Sequence, residues 1–320
     1  MLAFIVNRLL RSIIVLFLVS VVTFTFMQLV PGGPFSADAG GRPRSPEVQA
    51  KLEAQYGLDR PPVEQYLTYM TGLLTRFDLG PSLRQKDFSV NELMFGTNFW
   101  ADPLHVPVTV SAQVGLLSFT LAVLVGIPLG VIAAAYRNRL PDYAATLAAT
   151  LGISIPNFVL GLMLILIFAL GLGWLPVYGW GDNWKQTILP VVTLGTGGMA
   201  FIARLTRASL LETLGADYVR TARAKGLREN AVLFRHALRN ALIPVVTVLG
   251  PLLAAWLTGT FLVEHVFAIP GIGRFFVTAV FDRDYSLIMA AILLYSVVLV
   301  LANLAVDITY GFLDPRIRFD

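Results

Sequence analysis

Six long apolar stretches constrain the fold of this chain more than any other feature. They cover residues 12–30, 108–135, 143–172, 188–210, 241–263 and 286–306. About twenty helical residues cross the hydrocarbon layer of a bilayer, which is about 30 Å thick. Of the 320 residues, 56% are hydrophobic and 14% are charged, whereas soluble domains carry about 25% charged residues. We therefore predict an all-α integral membrane protein with six packed transmembrane helices.

Two features weaken individual spans. The fourth stretch is diluted by Arg204, Arg207 and three glycines, and prolines interrupt several others, namely Pro128, Pro156, Pro190 and Pro251. Membrane helices tolerate such residues where neighbouring helices satisfy the freed backbone groups. All six stretches therefore stay predicted as spans.

The distribution of lysine and arginine predicts the orientation, because short cytoplasmic loops are enriched in both residues. With the N-terminus in the cytoplasm, fourteen of the 24 basic residues fall on that side, including Arg316 and Arg318. Lys185, Arg274 and Arg283 oppose this arrangement; seven others lie in a long loop that the rule does not cover. Both termini are predicted to be cytoplasmic.

The first apolar stretch has some features of a cleavable signal peptide. Arg8 and Arg11 precede it, and Ala37-Asp38-Ala39 resembles a cleavage site. The stretch is longer than the core of a signal peptide, about 7–15 residues, and Pro31-Gly32-Gly33-Pro34 separates it from that site. We predict an uncleaved anchor, and a mature protein starting at Gly40 would contradict this.

The long loop 32–104 is predicted to fold into a small helical cap outside the membrane. Apolar residues recur at helical spacing behind Pro61-Pro62, at Val63, Tyr66, Leu67, Met70, Leu73 and Leu74. A shorter helix is predicted to start after Ser45-Pro46 and to end near Gly57.

The sequence gives little support for catalysis by this chain. It has no cysteine, which excludes disulfides and thiolate metal sites. His105, His236 and His265 are far apart and match no zinc-binding helix pattern. No P-loop pattern occurs, so we expect the chain to bind no ATP and to depend on a partner for energy.

Asp307, near the inner end of the sixth span, is the ionisable residue that most suggests a function inside the membrane. Two interpretations are open: it pairs with a basic group at the interface, or it relays protons. We favour pairing because the sequence indicates no second acid inside the membrane. Glu264 and His265 are interpreted as an interfacial pair on different helix faces.

A basic segment, Arg220–Arg239, lies between the fourth and fifth spans. Good helix formers cover 216–225 and 228–240, and Gly226 separates them, which predicts two short helices with a bend. The second helix is predicted to bury a stripe of Ala231, Phe234, Ala237, Leu238 and Ala241, with Arg228, Arg235 and Arg239 off it.

Three interpretations compete for this segment. Its charges fix topology or attract anionic headgroups, it binds nucleic acid, or it docks a cytosolic protein. Nucleic acid is disfavoured because no aromatic stacking residues interleave with the charges. The glycine bend between two amphipathic helices favours docking, but the residues alone leave docking and a topology signal open.

The chain resembles the membrane permease subunits of binding-protein-dependent ABC importers, in the peptide and nickel branch. The stretches that carry the resemblance run the length of the chain: "LVPGGPF", "QYGLDRPPVEQY", "DLGPSLRQKDFSVNEL", "DYVRTARAKGL", "FRHALRNALIPV", "PGIGRFFVTAVFDRDYSL" and "LDPRIRF". The wider superfamily has Glu-Ala-Ala before its loop glycine, where this chain has Arg220-Thr221-Ala222 before Gly226. His236-Ala237-Leu238-Arg239 replaces its I-x-L-P, with the proline displaced to Pro244. Both departures are typical of the peptide branch.

The resemblance implies a type I importer fold. It places a first helix in 1–31, the cap in 32–104, a transmembrane domain in 105–310 with a coupling loop at 211–240, and a cytoplasmic tail in 311–320. It implies a multi-pass protein of the bacterial inner membrane that binds no cofactor or metal. The implied partners are a second permease, two cytoplasmic ATPase subunits that bind ATP and Mg²⁺, and an extracytoplasmic peptide-binding protein.

The resemblance also assigns roles to residues. It implies that an ATPase contacts Tyr218, Arg220, Thr221, Ala222, Ala224, Lys225, Gly226 and Leu227, and that the binding protein faces Pro270, Gly271, Gly273, Asp284 and Tyr285. No residue is assigned to catalysis. The cap is closest to that of oligopeptide importers, which predicts oligopeptide import by alternating access. The alternatives are a dipeptide, nickel or glutathione importer, or a membrane scaffold or export-channel component.

Overall fold

The computed structural model describes residues 2–36, 44–85, 87–97 and 99–313. Ala37-Asp38-Ala39, Lys86 of the cap motif, and the tail with Arg316 and Arg318 lie outside these ranges. Within them the regular structure is entirely helical, so the predicted all-α fold is confirmed.

The helices follow one another along the chain. They are α1 (Leu2–Leu29), α2 (Pro46–Gln55), α3 (Pro62–Arg76), α4 (Val90–Phe95), α5 (Pro107–Ala135), α6 (Leu140–Ser154), α7 (Asn157–Leu164), α8 (Lys185–Leu214), α9 (Asp217–Ala224), α10 (Glu229–Ala231), α11 (Leu238–Leu257), α12 (Phe261–Val266), α13 (Gly273–Asp282) and α14 (Tyr285–Leu313). A π-helical stretch, Ile165–Gly171, extends α7, and a second one, Val232–Ala237, joins α10 to α11.

Five helices of the described chain are long and apolar enough to cross a membrane: Val6–Leu29, Pro107–Ala135, Lys185–Leu214, Glu229–Leu257 and Tyr285–Thr309. The predicted third span is instead a pair of helices, Leu140–Ser154 and Asn157–Gly171, bent by 103°. Pro156 causes the break, because it restricts Ile155 to an extended conformation with ψ 119°. The pair makes a sixth span if it crosses as one unit.

The fifth span ends earlier than predicted. Its helix stops at Leu257, and Phe261–Val266 forms the separate helix α12. Gly259 adopts φ +97°, which is incompatible with a helix and separates α11 from α12. Hydropathy continues to Val263 across this break, so the apolar pattern alone overestimated the span.

The chain divides into two compact units. The larger unit contains residues 1–8, 111–269 and 298–320, and the cap unit contains 9–110 and 270–297. Because α1, α5 and α14 each contribute to both units, each unit combines ends of long spans with shorter helices.

Helix α8 is central to the larger unit, where α6, α7, α11 and α12 pack against it. Helix α5 approaches it closely through glycine: a Cβ at Gly130 would lie 2.5 Å from the Ala203 carbonyl oxygen. The two arms of the bent pair contact one stretch of α8, because Gly152 faces Thr196 and Ala200, and Gly161 faces Thr193. Small residues permit such close contacts between membrane helices.

The cap unit has its own apolar core. Val90 and Met94 of α4, Ile272, Phe275 of α13, and Leu287 of α14 are buried together. The helices predicted in the cap are confirmed as α2 and α3. Helix α4 begins with a capping box, in which the Ser89 side chain accepts from the Glu92 amide and the Glu92 carboxylate accepts from the Ser89 amide.

Candidate functional site

The predicted coupling loop contains a short helix, α9, with one buried face. Val219 is fully buried and Ala222 is 6% exposed. Both pack into an apolar cluster, which we call the α9 seat, formed by Val131, Ala134, Leu210, Val232, Ala237 and Ala241. These residues come from α5, α8, the π-helical stretch and α11, so the seat fixes α9 to three long helices.

The other face of α9 and the bend that follows are exposed. The exposed residues are Tyr218, Arg220, Thr221, Ala224, Lys225, Gly226 and Leu227. The Tyr218 hydroxyl accepts a hydrogen bond from Asn240 Nδ2 at 2.8 Å, which orients this ring beside α11. Of the eight residues predicted to contact an ATPase, seven are therefore accessible, and Ala222 belongs to the seat.

Gly226 forms the bend because of its backbone conformation. Its φ is +75°, and a Cβ built there would meet no atom within 4 Å. The requirement for glycine is therefore conformational, since L-residues pay about 1–2 kcal/mol in this region. Arg223 spans the bend: Nε and Nη2 donate to the Glu229 carboxylate at 2.9 and 3.4 Å.

The second predicted helix of the loop continues into the membrane span. From Glu229 to Leu257 the chain forms one helical rod, so this helix is not a separate short one. The predicted stripe is partly wrong: Phe234 is 58% exposed, and Val232 is fully buried in the seat. The π-helical stretch 232–237 adds residues to a turn, which shifts the faces that a period of 3.6 assigns.

A buried ion pair joins α6 to α8 within the same unit. Arg207 Nε and Nη2 donate to the two carboxylate oxygens of Asp142, at 2.5 and 2.8 Å. The Asp142 side chain is 3% exposed, and its Oδ2 also accepts from the Asn138 amide at 2.9 Å. From the sequence, Arg207 is interpreted only as a charge that dilutes the fourth span and as one of the fourteen cytoplasmic basic residues, and no acidic partner is predicted for it. An arginine inside an apolar span almost always pairs with another polar group. Arg207 was therefore the signal from which a nearby acidic partner could have been predicted.

Glu264 is a second buried acid, and the sequence did not predict its burial. It is 3% exposed, and its Oε1 accepts from Ser111 Oγ at 2.8 Å and from the Thr260 amide at 3.1 Å. His265 lies on another face, exposed and stacked on Phe261. The two residues are therefore not an interfacial pair, because Glu264 caps the start of its own helix and joins it to α5.

Asp307 forms the ion pair favoured from the sequence. Arg8 Nε lies 2.8 Å from Asp307 Oδ2, and the side chains are 44% and 20% exposed. This contact confirms the pairing with a basic group.

The segment predicted to face a binding protein contains both exposed and buried residues. Pro270 is exposed and Tyr285 is half-buried, whereas Gly271, Gly273 and Asp284 are buried. Asp284 stabilises the cap: its Oδ2 accepts from Ser82 Oγ at 2.5 Å and from the Leu83 amide at 3.1 Å. Val280 and Phe281 in the same segment are 60% and 81% exposed, so they are also accessible on this surface. The contact with a binding protein stays a prediction.

Comparisons with known proteins assign the chain to a family. Residues 126–319 match the family model of the binding-protein-dependent transport system inner membrane component, and residues 1–87 match its N-terminal counterpart. A dipeptide transport system permease protein of Bacillus subtilis is 45% identical over 94% of this chain and 92% of its own length. An oligopeptide transport system permease protein of Haemophilus influenzae is 41% identical over the full length of both chains. An inward-facing structure of the MetNI methionine ABC transporter aligns with 65% of this chain and 94% of its own, with TM-score 0.51 and 21% identity.

Proposed function

Because the chain belongs to the family of inner-membrane components of binding-protein-dependent transport systems, we propose that it is a permease subunit of an ATP-driven oligopeptide importer. It is a multi-pass membrane protein and a transport subunit. In this proposal it pairs with a second permease, two cytoplasmic ATPase subunits hydrolyse ATP, and an extracytoplasmic binding protein delivers peptide. The chain itself binds no cofactor and has no catalytic residue.

The burial pattern of α9 supports the part of this proposal in which ATPase subunits drive movement of the membrane spans. One face of α9 is buried in the α9 seat, and the other is exposed with basic and small residues. A force applied to the exposed face by an ATPase would pass through Val219 and Ala222 to α5, α8 and α11. Closure of the ATPase pair would then shift the spans between two packed states, as alternating access requires.

The orientation follows from the same proposal. The exposed face of α9 must lie in the cytoplasm to contact ATPases, as the positive-inside rule predicts. Both termini are then cytoplasmic, and 32–104 lies outside the membrane. The proposal keeps the domain boundaries implied by the resemblance: the first helix ends at 31, the cap ends at 104, and the transmembrane domain ends at 310.

Co-purification and uptake test the proposal. The tagged full chain is purified from its own host, and accompanying subunits are identified by mass spectrometry. We expect a second permease and two ATPase subunits, and ATP-dependent uptake of a labelled tetrapeptide after reconstitution with the binding protein. A chain that purifies without ATPases would contradict import and favour a membrane scaffold or export-channel component.

Dipeptide import is the second candidate, favoured by the 45% identity to the dipeptide permease. Competition for uptake distinguishes the two substrate classes. We expect unlabelled tri-, tetra- and pentapeptides to inhibit uptake more strongly than dipeptides. Stronger inhibition by dipeptides would contradict the oligopeptide assignment without affecting the family, and inhibition only by nickel or glutathione would indicate those substrates.

A further inference from the structure

Helix α3 of the cap unit exposes a row of apolar side chains. Val63 and Leu74 are 70% and 77% exposed, and Leu67 and Phe77 are exposed as well. Met70 is half-buried and lies between them. The five positions recur every three or four residues, so they share one side of the helix and of the turn that ends it. We call them the α3 stripe, and exposed apolar surface of this kind marks an interaction site.

The circumference of α3 is divided into three faces. One face packs on the rest of the cap unit through Tyr66, Tyr69 and Leu73. Another is polar and exposed, and it consists of Glu64, Thr68, Thr71 and Thr75. With 3.6 residues per turn, the α3 stripe lies between these two faces, about 100° from the centre of each. A helix that is packed against protein while it separates lipid from water requires such an order of faces.

The packed face holds α3 beside the interior of the first span. The Tyr66 and Ser20 hydroxyl oxygens are 2.7 Å apart, and the Tyr66 ring meets the Phe24 ring edge-on, with centroids 5.5 Å apart. The span ends at Leu29. At 1.5 Å per residue, Ser20 lies about 14 Å and Phe24 about 8 Å inside that end. Tyr66 therefore lies alongside the apolar part of α1.

The sixth span gives a similar depth. Tyr69 and Leu73 pack against a buried cluster that contains Met289 and Leu293 of α14. These two residues lie about 6 and 12 Å inside the end of the span at Tyr285. Helix α3 thus contacts α1 in its first half and the cluster that includes α14 one to two turns later. It lies across the ends of both spans, within their apolar depth.

Aromatic rings continue the α3 stripe towards the second span. Phe77 contacts Phe95, Phe95 contacts Phe99, and Phe99 contacts Trp100, with ring centroids 5.6, 5.9 and 5.2 Å apart. Trp100 is 92% exposed and precedes Pro107, where α5 begins. Tryptophan is enriched where membrane spans meet water, so the position of this row of rings agrees with the depth of α3.

We propose that α3 is an interfacial helix whose α3 stripe inserts into the bilayer. The row of rings lies at the level of the headgroups, and the polar face of α3 lies in water. In the orientation proposed above this is the outer leaflet, so the cap is partly embedded and not wholly outside. Lipid is the occupant because the α3 stripe borders the face that packs on α1, whose Phe26 and Leu29 are also exposed, at 65% and 69%.

Apolar burial, and not charge, attaches the helix in this proposal. Between Pro62 and Arg76 the helix carries one acidic residue, Glu64, and one basic residue, Arg76 itself. Attraction to anionic headgroups requires an excess of basic residues. Insertion should therefore not depend on ionic strength or on the phosphatidylglycerol content of the membrane.

Fluorescence quenching of the full chain, purified with its accompanying subunits and reconstituted into nanodiscs, tests this inference. The chain has no cysteine, so one introduced cysteine at a time can carry a bimane label. Leu67→Cys and Leu74→Cys sample the α3 stripe. Thr68→Cys and Thr75→Cys are their matched neighbours on the polar face, and all four positions are exposed. The wild-type complex, treated with the same label, gives the background from cysteines of the other subunits.

We expect opposite quenching on the two faces. A lipid that carries a doxyl group high in its acyl chain should quench the labels at 67 and 74 more strongly than aqueous iodide does. Iodide should be the stronger quencher at 68 and 75. The labels on the α3 stripe should also emit at shorter wavelength, because their surroundings are less polar. This pattern should persist in phosphatidylcholine alone and in mixtures with phosphatidylglycerol.

Three results would overturn the proposal. Quenching of all four labels by iodide and not by lipid would place the whole helix in water. Protection of the labels at 67 and 74 from both quenchers would mean that protein, such as the second permease, covers the α3 stripe. Lipid quenching that requires phosphatidylglycerol would contradict attachment by apolar burial. The elution volume and melting temperature of each variant show whether it is folded. Because no transport is measured, these outcomes are independent of the import proposal.

Discussion

At the scale of single residues, Gly226 is the position whose backbone most restricts substitution. Valine at φ +75° is strained by about 1–2 kcal/mol, which would reorient α9 relative to Glu229. We expect Gly226→Val to lower peptide uptake about tenfold in proteoliposomes while ATP hydrolysis by the partner subunits persists, and Gly226→Pro to act at least as strongly. Gly226→Asn should be milder because asparagine tolerates this conformation.

Gly173 provides a matched control for that substitution. It has φ +64° and equally open surroundings, but it lies outside the coupling loop. Gly173→Val should therefore cause similar strain without uncoupling uptake from ATP hydrolysis. Equal loss of uptake in both valine variants would contradict a specific role for Gly226.

Ala222 and Ala224 differ in burial on the same short helix. Ala222 lies in the α9 seat at 6% exposure, whereas Ala224 is exposed. Aspartate at 222 would bury an unpaired charge, which costs several kcal/mol, so we expect Ala222→Asp to detach α9 and uncouple transport from ATP hydrolysis in an inserted protein. Ala224→Asp should instead weaken ATPase co-purification. If Ala222→Asp transports normally, α9 does not transmit force through its seat.

At the scale of helices, α4 gives a pH-dependent prediction. The hydrogen bonds from the Ser89 amide and hydroxyl lower the pKa of Glu92 below its ordinary 4.5. A lowered pKa in the folded state stabilises the cap above pH 4.5, and this contribution is lost as pH falls through the folded pKa. We expect Glu92→Gln to lower the melting temperature at pH 7 and to converge with wild type in strong acid. A difference independent of pH would contradict the role of the charge.

The Asp142–Arg207 pair predicts coupling between α6 and α8. Breaking a fully buried pair costs about 3–5 kcal/mol, and we expect a lower value here, about 1–3 kcal/mol, because Arg207 is 28% exposed. Thermal unfolding of Asp142→Asn, Arg207→Met and the double variant should give a double-mutant-cycle coupling of at least about 1 kcal/mol. The exposed Asp217–Arg220 pair, 3.4 Å apart, should give almost none, and similar couplings in both cycles would contradict the difference in burial.

Helix boundaries show which parts of the fold the sequence could predict. The apolar stretches predicted the spans because burial in lipid requires about twenty apolar residues. Their ends at Ser154 and Leu257 depend on local backbone breaks, which hydropathy does not register. Phe234 was wrongly predicted to be buried for a related reason. It lies in the π-helical stretch, where the number of residues per turn differs from the 3.6 that the prediction assumed. Seven of the eight residues assigned to the ATPase contact are exposed, and the contact itself stays a prediction. The burial of Ala222 depends on distant residues in α5 and α8, which local sequence does not indicate.

At the scale of the whole molecule, the absence of cysteine makes the orientation directly testable. Phe281 and Phe234 are 81% and 58% exposed, so cysteines at either position should react readily. We expect a membrane-impermeant maleimide to label Phe281→Cys in spheroplasts and to label Phe234→Cys only after permeabilisation. The reverse pattern would place α9 outside the cytoplasm and contradict ATPase coupling.

The bent pair of helices has a mechanical consequence for transport. Its arms hold the stretch Thr193–Ala200 of α8 from two directions, so sliding of α8 along its own axis would collide with one arm or the other. Each arm is about 22 Å long at 1.5 Å per residue, and a 103° bend leaves their far ends about 28 Å apart. The two arms of the V therefore enclose the stretch of α8 that both of them contact. We therefore expect α8 and the bent pair to move as one body during transport, with sliding confined to other helix contacts.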